Sequence, residues 1–216
     1  SGTTTNITFS GTPDATVNYT VDGTPSQVIL DVTGSATITT PALTVNSTYA
    51  LVSIDSNGTP NCSQTLIGSA IITIKALPTA SISGTTTICS GDTTVITFTG
   101  TPSATVTYTI NSGASQTINL DATGTATLTT PVLTADSTYT LVSVTSNGIP
   151  DCGQTATGSA VITVNALPTA SVTGDTICSG TTGVVTFTRT PNATVTYRDD
   201  AGAAQTILLD AAGTAV

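Results

Sequence analysis

Apolar and hydroxyl-bearing residues alternate along much of the chain with a period of two. The cleanest stretch is Thr105-Val-Thr-Tyr-Thr-Ile110, where Val106, Tyr108 and Ile110 share one side and Thr105, Thr107 and Thr109 the other. That pattern predicts a strand with one face on a core and one in water. Over 77–166 the same reading predicts seven strands, near 80–88, 94–99, 105–110, 116–121, 125–130, 138–146 and 158–165. Turn signals stand between several of them: Gly100-Thr-Pro102, Asn111-Ser-Gly113, Asp121-Ala-Thr-Gly124 and Ser146-Asn-Gly148. Phe98, Val106, Tyr108, Leu128, Leu141 and Ile162 are the expected core.

The pattern repeats. Phe9-Ser-Gly-Thr-Pro13 returns as Phe98-Thr-Gly-Thr-Pro102 and as Phe187-Thr-Arg-Thr-Pro191, each step 89 residues. Ser47-Thr-Tyr-Ala-Leu-Val-Ser53 returns 90 residues on as Ser137-Thr-Tyr-Thr-Leu-Val-Ser143. The extra residue falls between Tyr108 and Asp121, where a turn is expected and an insertion is tolerated. The units are 1–76 (N-terminally truncated), 77–166 (complete) and 167–216 (C-terminally truncated), so the chain reads as a piece of a longer polypeptide. Seven short strands in about 90 residues, with no helix, match an immunoglobulin-like sandwich. Tyr139, opening the sixth strand, stands where such sandwiches carry a tyrosine corner. The links Lys75-Ala-Leu-Pro78 and Asn165-Ala-Leu-Pro168 each end in a proline that restricts its own backbone and its predecessor's. The expected fold class is therefore all-β: tandem immunoglobulin-like β-sandwich repeats of about 89–90 residues in an end-to-end rod.

Composition agrees. Thr, Val and Ile number 54, 18 and 17 of 216 residues, whereas Glu and Met are absent, which excludes a mainly helical protein. His is absent too, so imidazole chemistry is excluded, and acid–base groups are limited to scattered Asp and distant Tyr. No enzyme and no cofactor is expected. Charged residues make up 7% against a typical value of about 25%, and the net charge is −9. With Lys75, Arg189 and Arg198 as the only basic side chains, a nucleic-acid partner finds nothing to neutralise its phosphates. The longest apolar run, Tyr49-Ala-Leu-Val52, is far short of the roughly 20 residues of a membrane-spanning helix, so no membrane insertion is expected here. Aspartates in metal-loop spacing are missing, Asp199-Asp200 being the one adjacent pair; the acids read as turn residues, with no metal site expected.

Two longer patterns carry a resemblance. Pro168-Thr-Ala, Ile177-Cys-Ser-Gly180, Phe187-Thr-Arg-Thr-Pro191 and Ala193-Thr-Val-Thr-Tyr197 form one. Gly124-Thr-Ala-Thr-Leu-Thr-Thr-Pro131, Ser137-Thr-Tyr-Thr-Leu-Val-Ser-Val144, Asp151-Cys152 and Gly158-Ser-Ala form the other. Together they resemble the repeat regions of giant surface adhesins of the Bacteroidota, above all gliding-motility adhesins of the SprB type exported by the type IX system. The resemblance covers the whole chain. It implies an extracellular filament or stalk attached at the outer membrane, mediating surface attachment or gliding, with neighbouring repeats and surface polysaccharide or a substratum as partners. The alternative function is an array of glycan-binding modules.

The four cysteines recur in step, Cys62 with Cys152 and Cys89 with Cys178. In an exported repeat this spacing reads as disulfides. In the expected topology the Cys89 and Cys152 loops lie at opposite ends of one sandwich, beyond the ~7 Å Cα separation a disulfide bridges. A staple between neighbouring repeats, a bond within a repeat, and the pairing Cys62–Cys89 with Cys152–Cys178 all remain open at this stage. Cys62-Ser-Gln64 and Cys152-Gly-Gln154 carry one residue between Cys and Gln where thioester motifs carry two. Thr93, Ser137 and Thr176 each follow an Asp in the manner of Bacteroidota O-glycosylation sites and are the glycosylation candidates.

Overall fold

The structure is a computed structural model and describes residues 2–200 and 202–216. The first segment forms β1 (Asn6–Ser10), β2 (Thr16–Val21), β3 (Thr24–Ile29), β4 (Ser35–Thr39), β5 (Ser47–Asp55), β6 (Ser63–Thr65) and β7 (Ser69–Ile72). The middle segment forms β8 (Ala80–Ser83), β9 (Thr86–Cys89), β10 (Val95–Gly100), β11 (Thr105–Ile110), β12 (Ser115–Asn119), β13 (Thr125–Thr129), β14 (Ser137–Ser146), β15 (Cys152–Thr155) and β16 (Ser159–Asn165). The last forms β17 (Ala170–Gly174), β18 (Val185–Arg189), β19 (Thr194–Tyr197), β20 (Gln205–Leu208) and β21 (Thr214–Ala215). The described residues are all-β, and the strands assemble into sandwich repeats.

Two sheets make the middle sandwich. One runs β13-β10-β8; the other runs β12-β11-β14-β16-β9, with β15 also on β14. Alternation decides which side of each strand is buried. On β11, Val106 and Tyr108 are buried between half-buried threonines. Ile96 and Phe98 from the first sheet meet Val106, Tyr108, Tyr139, Leu141, Val144 and Ile162 from the second in one core. Five of the six expected core residues are buried there, and the sixth, Leu128, is half-buried against them. The Phe98 ring lies 5.0 Å from Tyr108, which stacks on Tyr139 at 6.4 Å. Phe9, Tyr19 and Tyr49 repeat this trio at 4.7 and 6.3 Å, and Phe187 and Tyr197 repeat its first pair at 4.8 Å. Stacking on Tyr108 is the contact the structure gives Tyr139, near the start of β14.

Two strands differ from the sequence expectation. The stretch 80–88 is broken into β8 and β9, which join opposite sheets: β8 pairs antiparallel with β10 and β9 parallel with β16. Gly84 makes the crossing, at φ +121, where a Cβ would stand 2.7 Å from the Val95 carbonyl oxygen. Alternation carries no record of a change of sheet, because the inward set continues on both sides of the break. The strand at 158–165 likewise has an earlier half, β15. The two halves flank Ala156-Thr157-Gly158, where Ala156 N–H donates to Val142 O at 3.0 Å and Leu141 N–H to Gly158 O at 2.9 Å. The one-residue difference between repeats falls in the hairpin before Ser26 and Gln116, the strand partners of Tyr19 and Tyr108. Asp22 and Gly23, both at positive φ, close the first hairpin in two residues, and Asn111-Ser-Gly113 lengthens the second.

Removing the ring that joins the sheets tests this core. Phe98→Ala is expected to destabilise the middle sandwich by about 3–5 kcal/mol. The measurement is hydrogen exchange at the amides of β11 and β14, with those of β2 and β5 as the unperturbed control.

Candidate functional site

Polar residues recurring in all repeats are the first place to look for chemistry, and most hold turns. Asp121 Oδ1 accepts from the amides of Thr123 (2.8 Å) and Thr125 (2.9 Å) and from the Thr123 hydroxyl (2.7 Å). Asp31 does the same with Thr33 and Ser35, and Asp210 with Ala212 and Thr214. These bonds favour the charged form. The Thr125 amide, then the Thr123 hydroxyl, bring Asp121 down to about 2. The Thr33 hydroxyl and Ser35 amide lower Asp31, and the Thr214 amide and hydroxyl lower Asp210. Other acids exchange with amides between repeats. Asp22 Oδ1 accepts from Thr48 N–H and Asn111 Oδ1 from Thr138 N–H, both at 2.7 Å. Asn46 Oδ1 accepts from Ile74 N–H and Asp136 Oδ1 from Val164 N–H, also both at 2.7 Å. Where Asn replaces Asp and keeps the bond, the position serves as an acceptor for the backbone, with no call for charge. Among the described residues there is no cluster of three or more Cys or Asp placed to hold a metal ion.

The cysteines sit at the ends of the sandwiches. In the parallel β9–β16 pair Cys89 stands opposite Asn165, and Ser90 N–H donates to Asn165 O at 2.8 Å. Cys89 is therefore where the chain leaves the sandwich for Asn165-Ala-Leu-Pro168. Cys152 opens β15 opposite Ser146, at the other end, with its N–H on Ser146 Oγ at 3.2 Å. From 152 to 165 the chain runs along the sheet for about 35–40 Å at ~3.3 Å per residue, so a bond between Cys89 and Cys152 of one repeat is ruled out. Cys62 reproduces the Cys152 arrangement, with its N–H on Ser56 Oγ at 2.9 Å. Cys178 lies outside any strand, its carbonyl accepting from Thr181. All four thiols are free.

Two residues not singled out from the sequence pin the joint before the middle sandwich. Lys75 Nζ donates to Pro150 O at 3.3 Å, and Gln154 Nε2 donates to Pro78 O at 2.6 Å. A cavity of about 350 Å³ opens there, lined by Thr3, Lys75, Leu77, Asp151, Cys152 and others. The signals were present: Lys75 is the single lysine and lies in a linker, and a Gln recurs two residues after each Cys62-type thiol. A second cavity, about 260 Å³, lies over Ile7, Phe9, Val17, Leu51 and Leu66. It lies along β1, the counterpart of β10.

Of the glycosylation candidates, Thr93 and Thr176 are exposed, whereas Ser137 is 4% exposed and paired with Ile162 across β14 and β16. A glycan on Ser137 has no room in the folded repeat, and Ser137 is withdrawn: it shares the inward face of β14 with Tyr139, two residues on.

No family model and no curated protein matches the sequence. Among solved structures, a chain from a study of host cell surface retention of a 1.5-MDa bacterial ice-binding adhesin aligns with 99% of this chain and 78% of its own length. Identity is 18% and the TM-score 0.49, a likeness too distant to carry an argument about this chain. Among the described residues no helix is long and apolar enough to cross a membrane.

The aspartate turns yield a pH prediction. Because folding lowers the Asp121 pKa to about 2 from an ordinary value of about 3.9, its stabilisation is complete above that ordinary value and lost as pH falls through the folded one. Asp121→Asn is expected to lower the melting temperature of the middle sandwich at neutral pH. It should also shrink the fall in melting temperature between about pH 4 and 2 that the parent chain shows, as followed by calorimetry.

Proposed function

We propose that the chain is a run of immunoglobulin-like repeats, 1–76, 77–166 and 167–216, from the stalk of an exported cell-surface filament or adhesin of the gliding-motility type. The observation that carries this reading is the joint: the linker is not a free tether, because Lys75 reaches Pro150 on the next sandwich and Gln154 holds Pro78. A short proline-containing link fixed to the next sandwich favours a stiff array over independent tumbling. The role is structural and non-enzymatic. The recurring aspartates are engaged by turn amides, which keeps them from proton transfer, and Tyr19, Tyr49, Tyr108 and Tyr139 are spent on the core. That burial also weighs against the alternative of a glycan-binding array, which calls for exposed aromatic platforms. The proposed location is extracellular, at the outer membrane, with neighbouring repeats as the immediate partners and polysaccharide or a substratum as the distant ones.

Length is the test. A stiff array advances about 35–45 Å per repeat, from strands of 7–9 residues at ~3.3 Å plus loops and link, so the whole chain should extend about 100 Å. A rod that long has a radius of gyration of about 30 Å by small-angle scattering, against about 17 Å for a compact globule of the same length. The sparse charge predicts little change from low to high salt. A value near the globular one overturns the rod. Antibodies raised to the chain should label unpermeabilised cells of the source organism, and labelling only after permeabilisation overturns the surface assignment.

A further inference from the structure

We propose that Asn147-Gly148 is a self-modification site, where the folded chain closes a succinimide ring and water opens it to aspartate and isoaspartate. The chain has two Asn-Gly pairs, Asn57-Gly58 and Asn147-Gly148, each preceded by Ser and at equivalent places in successive repeats. Both asparagines are exposed to water. Glycine in the second position leaves the backbone nitrogen open to reaction, because no Cβ crowds the ring that closes on it.

The two asparagines are held alike. Asn147 Nδ2 donates to Ser103 O and Asn57 Nδ2 to Asp14 O, both at 2.6 Å. Asn147 Oδ1 accepts from Thr105 Oγ1 at 3.4 Å and Asn57 Oδ1 from Thr16 Oγ1 at 3.2 Å. What differs is the group that faces the nucleophile. Gly148 N–H donates to Asp151 Oδ1 at 3.0 Å, so a carboxylate already sits on the proton that must leave. Asn61 takes the place of Asp151 in the first repeat, and Gly58 N–H has no such bond among the described residues. Asn46 and Asp136 exchange and keep their bond; here the exchange loses it. Lys75 Nζ also lies 3.1 Å from where a Cβ on Gly148 would stand. A cation there favours the negative charge that develops on the nitrogen and then on the Asn147 oxygen.

The steps need only water from outside. Asp151 takes the Gly148 amide proton, and the electron pair left on nitrogen attacks Asn147 Cγ. The tetrahedral centre collapses with cleavage of the Cγ–Nδ2 bond; Nδ2 takes the proton back from Asp151 and leaves as ammonia. Water then adds to either ring carbonyl and breaks its bond to nitrogen. One opening leaves aspartate at position 147, the other isoaspartate with the backbone routed through the side chain. Nothing is oxidised or reduced. Neither product can donate to Ser103 O as Asn147 does, so the loop that presents Pro150 to Lys75 loses its tie to the sandwich.

The test is to age the whole chain in heavy-oxygen water near neutral pH and map it by peptide mass spectrometry, which reads the oxygen gained at each asparagine. Folded, Asn147 is expected to convert faster than Asn57 by on the order of tenfold, a modest gain because a carboxylate is a weak base toward an amide. In urea, where Asp151 is no longer held at Gly148, the two Ser-Asn-Gly sites should convert at similar rates. Asp151→Asn should bring Asn147 of the folded chain down to the Asn57 rate. That variant sets at 151 the residue the first repeat carries at 61, and its circular dichroism spectrum should match the parent's. Conversion at Asn147 no faster than at Asn57, a gap that persists in urea, or a rate untouched by Asp151→Asn overturns the proposal. None of those results bears on the filament reading, which stands or falls on length and surface labelling.

Discussion

The packing of one phenylalanine between two sheets, against a pair of stacked tyrosines, is the contact on which the rest of each repeat depends. A sandwich of this size has few large side chains to bury, and this sequence has only eight aromatics in all. Placing Phe98 on β10 and Tyr108 and Tyr139 on β11 and β14 lets three residues span the core from one sheet to the other. Aromatic pairs of this geometry contribute about 0.5–1.5 kcal/mol beyond the area they bury. Around them β-branched side chains fill the layer, and the threonines of the opposite faces meet water. That division explains how a chain with so little charge forms a defined core: the hydroxyls carry the polar side of every strand.

Once the core sets the spacing of the sheets, the loops must close at fixed lengths, and aspartate and asparagine do this by accepting backbone amides. Their exchange between repeats, with bonds of equal length, separates structural acceptors from chemistry. A site that needed charge would not carry Asn46 in one repeat and Asp136 in the next. The lowered Asp121 pKa has the same origin, since amides and hydroxyls gathered by a tight turn favour the carboxylate with no cation nearby.

The joint is built from different material. Lys75 is one of three basic residues in the chain, and it is used on a backbone carbonyl of the following sandwich. The Gln154 amide, two residues after Cys152, is held by Pro78 O. Polar side chains directed at carbonyls orient the connection while leaving the two cores separate, which suits an array whose units each fold around their own Phe–Tyr contact.

The sequence by itself determined the all-β class, the repeat length, most strand positions and the inward faces, because period-two alternation and the 89-residue recurrence are local or translational properties of the chain. Five of six expected core residues are buried for that reason, and Leu128 stops at half-buried because it lies on β13, an edge strand. The site was less legible. The repeating cysteines, Thr93 and Thr176 could be picked out as residues, and alternation from Tyr139 already puts Ser137 on the inward face, but the roles of Lys75 and Gln154 could not be read, since each depends on what a different segment brings near. Only the tertiary structure decided that the stretch 80–88 changes sheets at Gly84 and that β15 precedes β16 on the same strand path. The physical reason is common to both. Alternation records which side of a strand is wet, whereas the choice of neighbouring strand is made by backbone hydrogen bonds between residues far apart in the chain, and those bonds are blind to side-chain pattern.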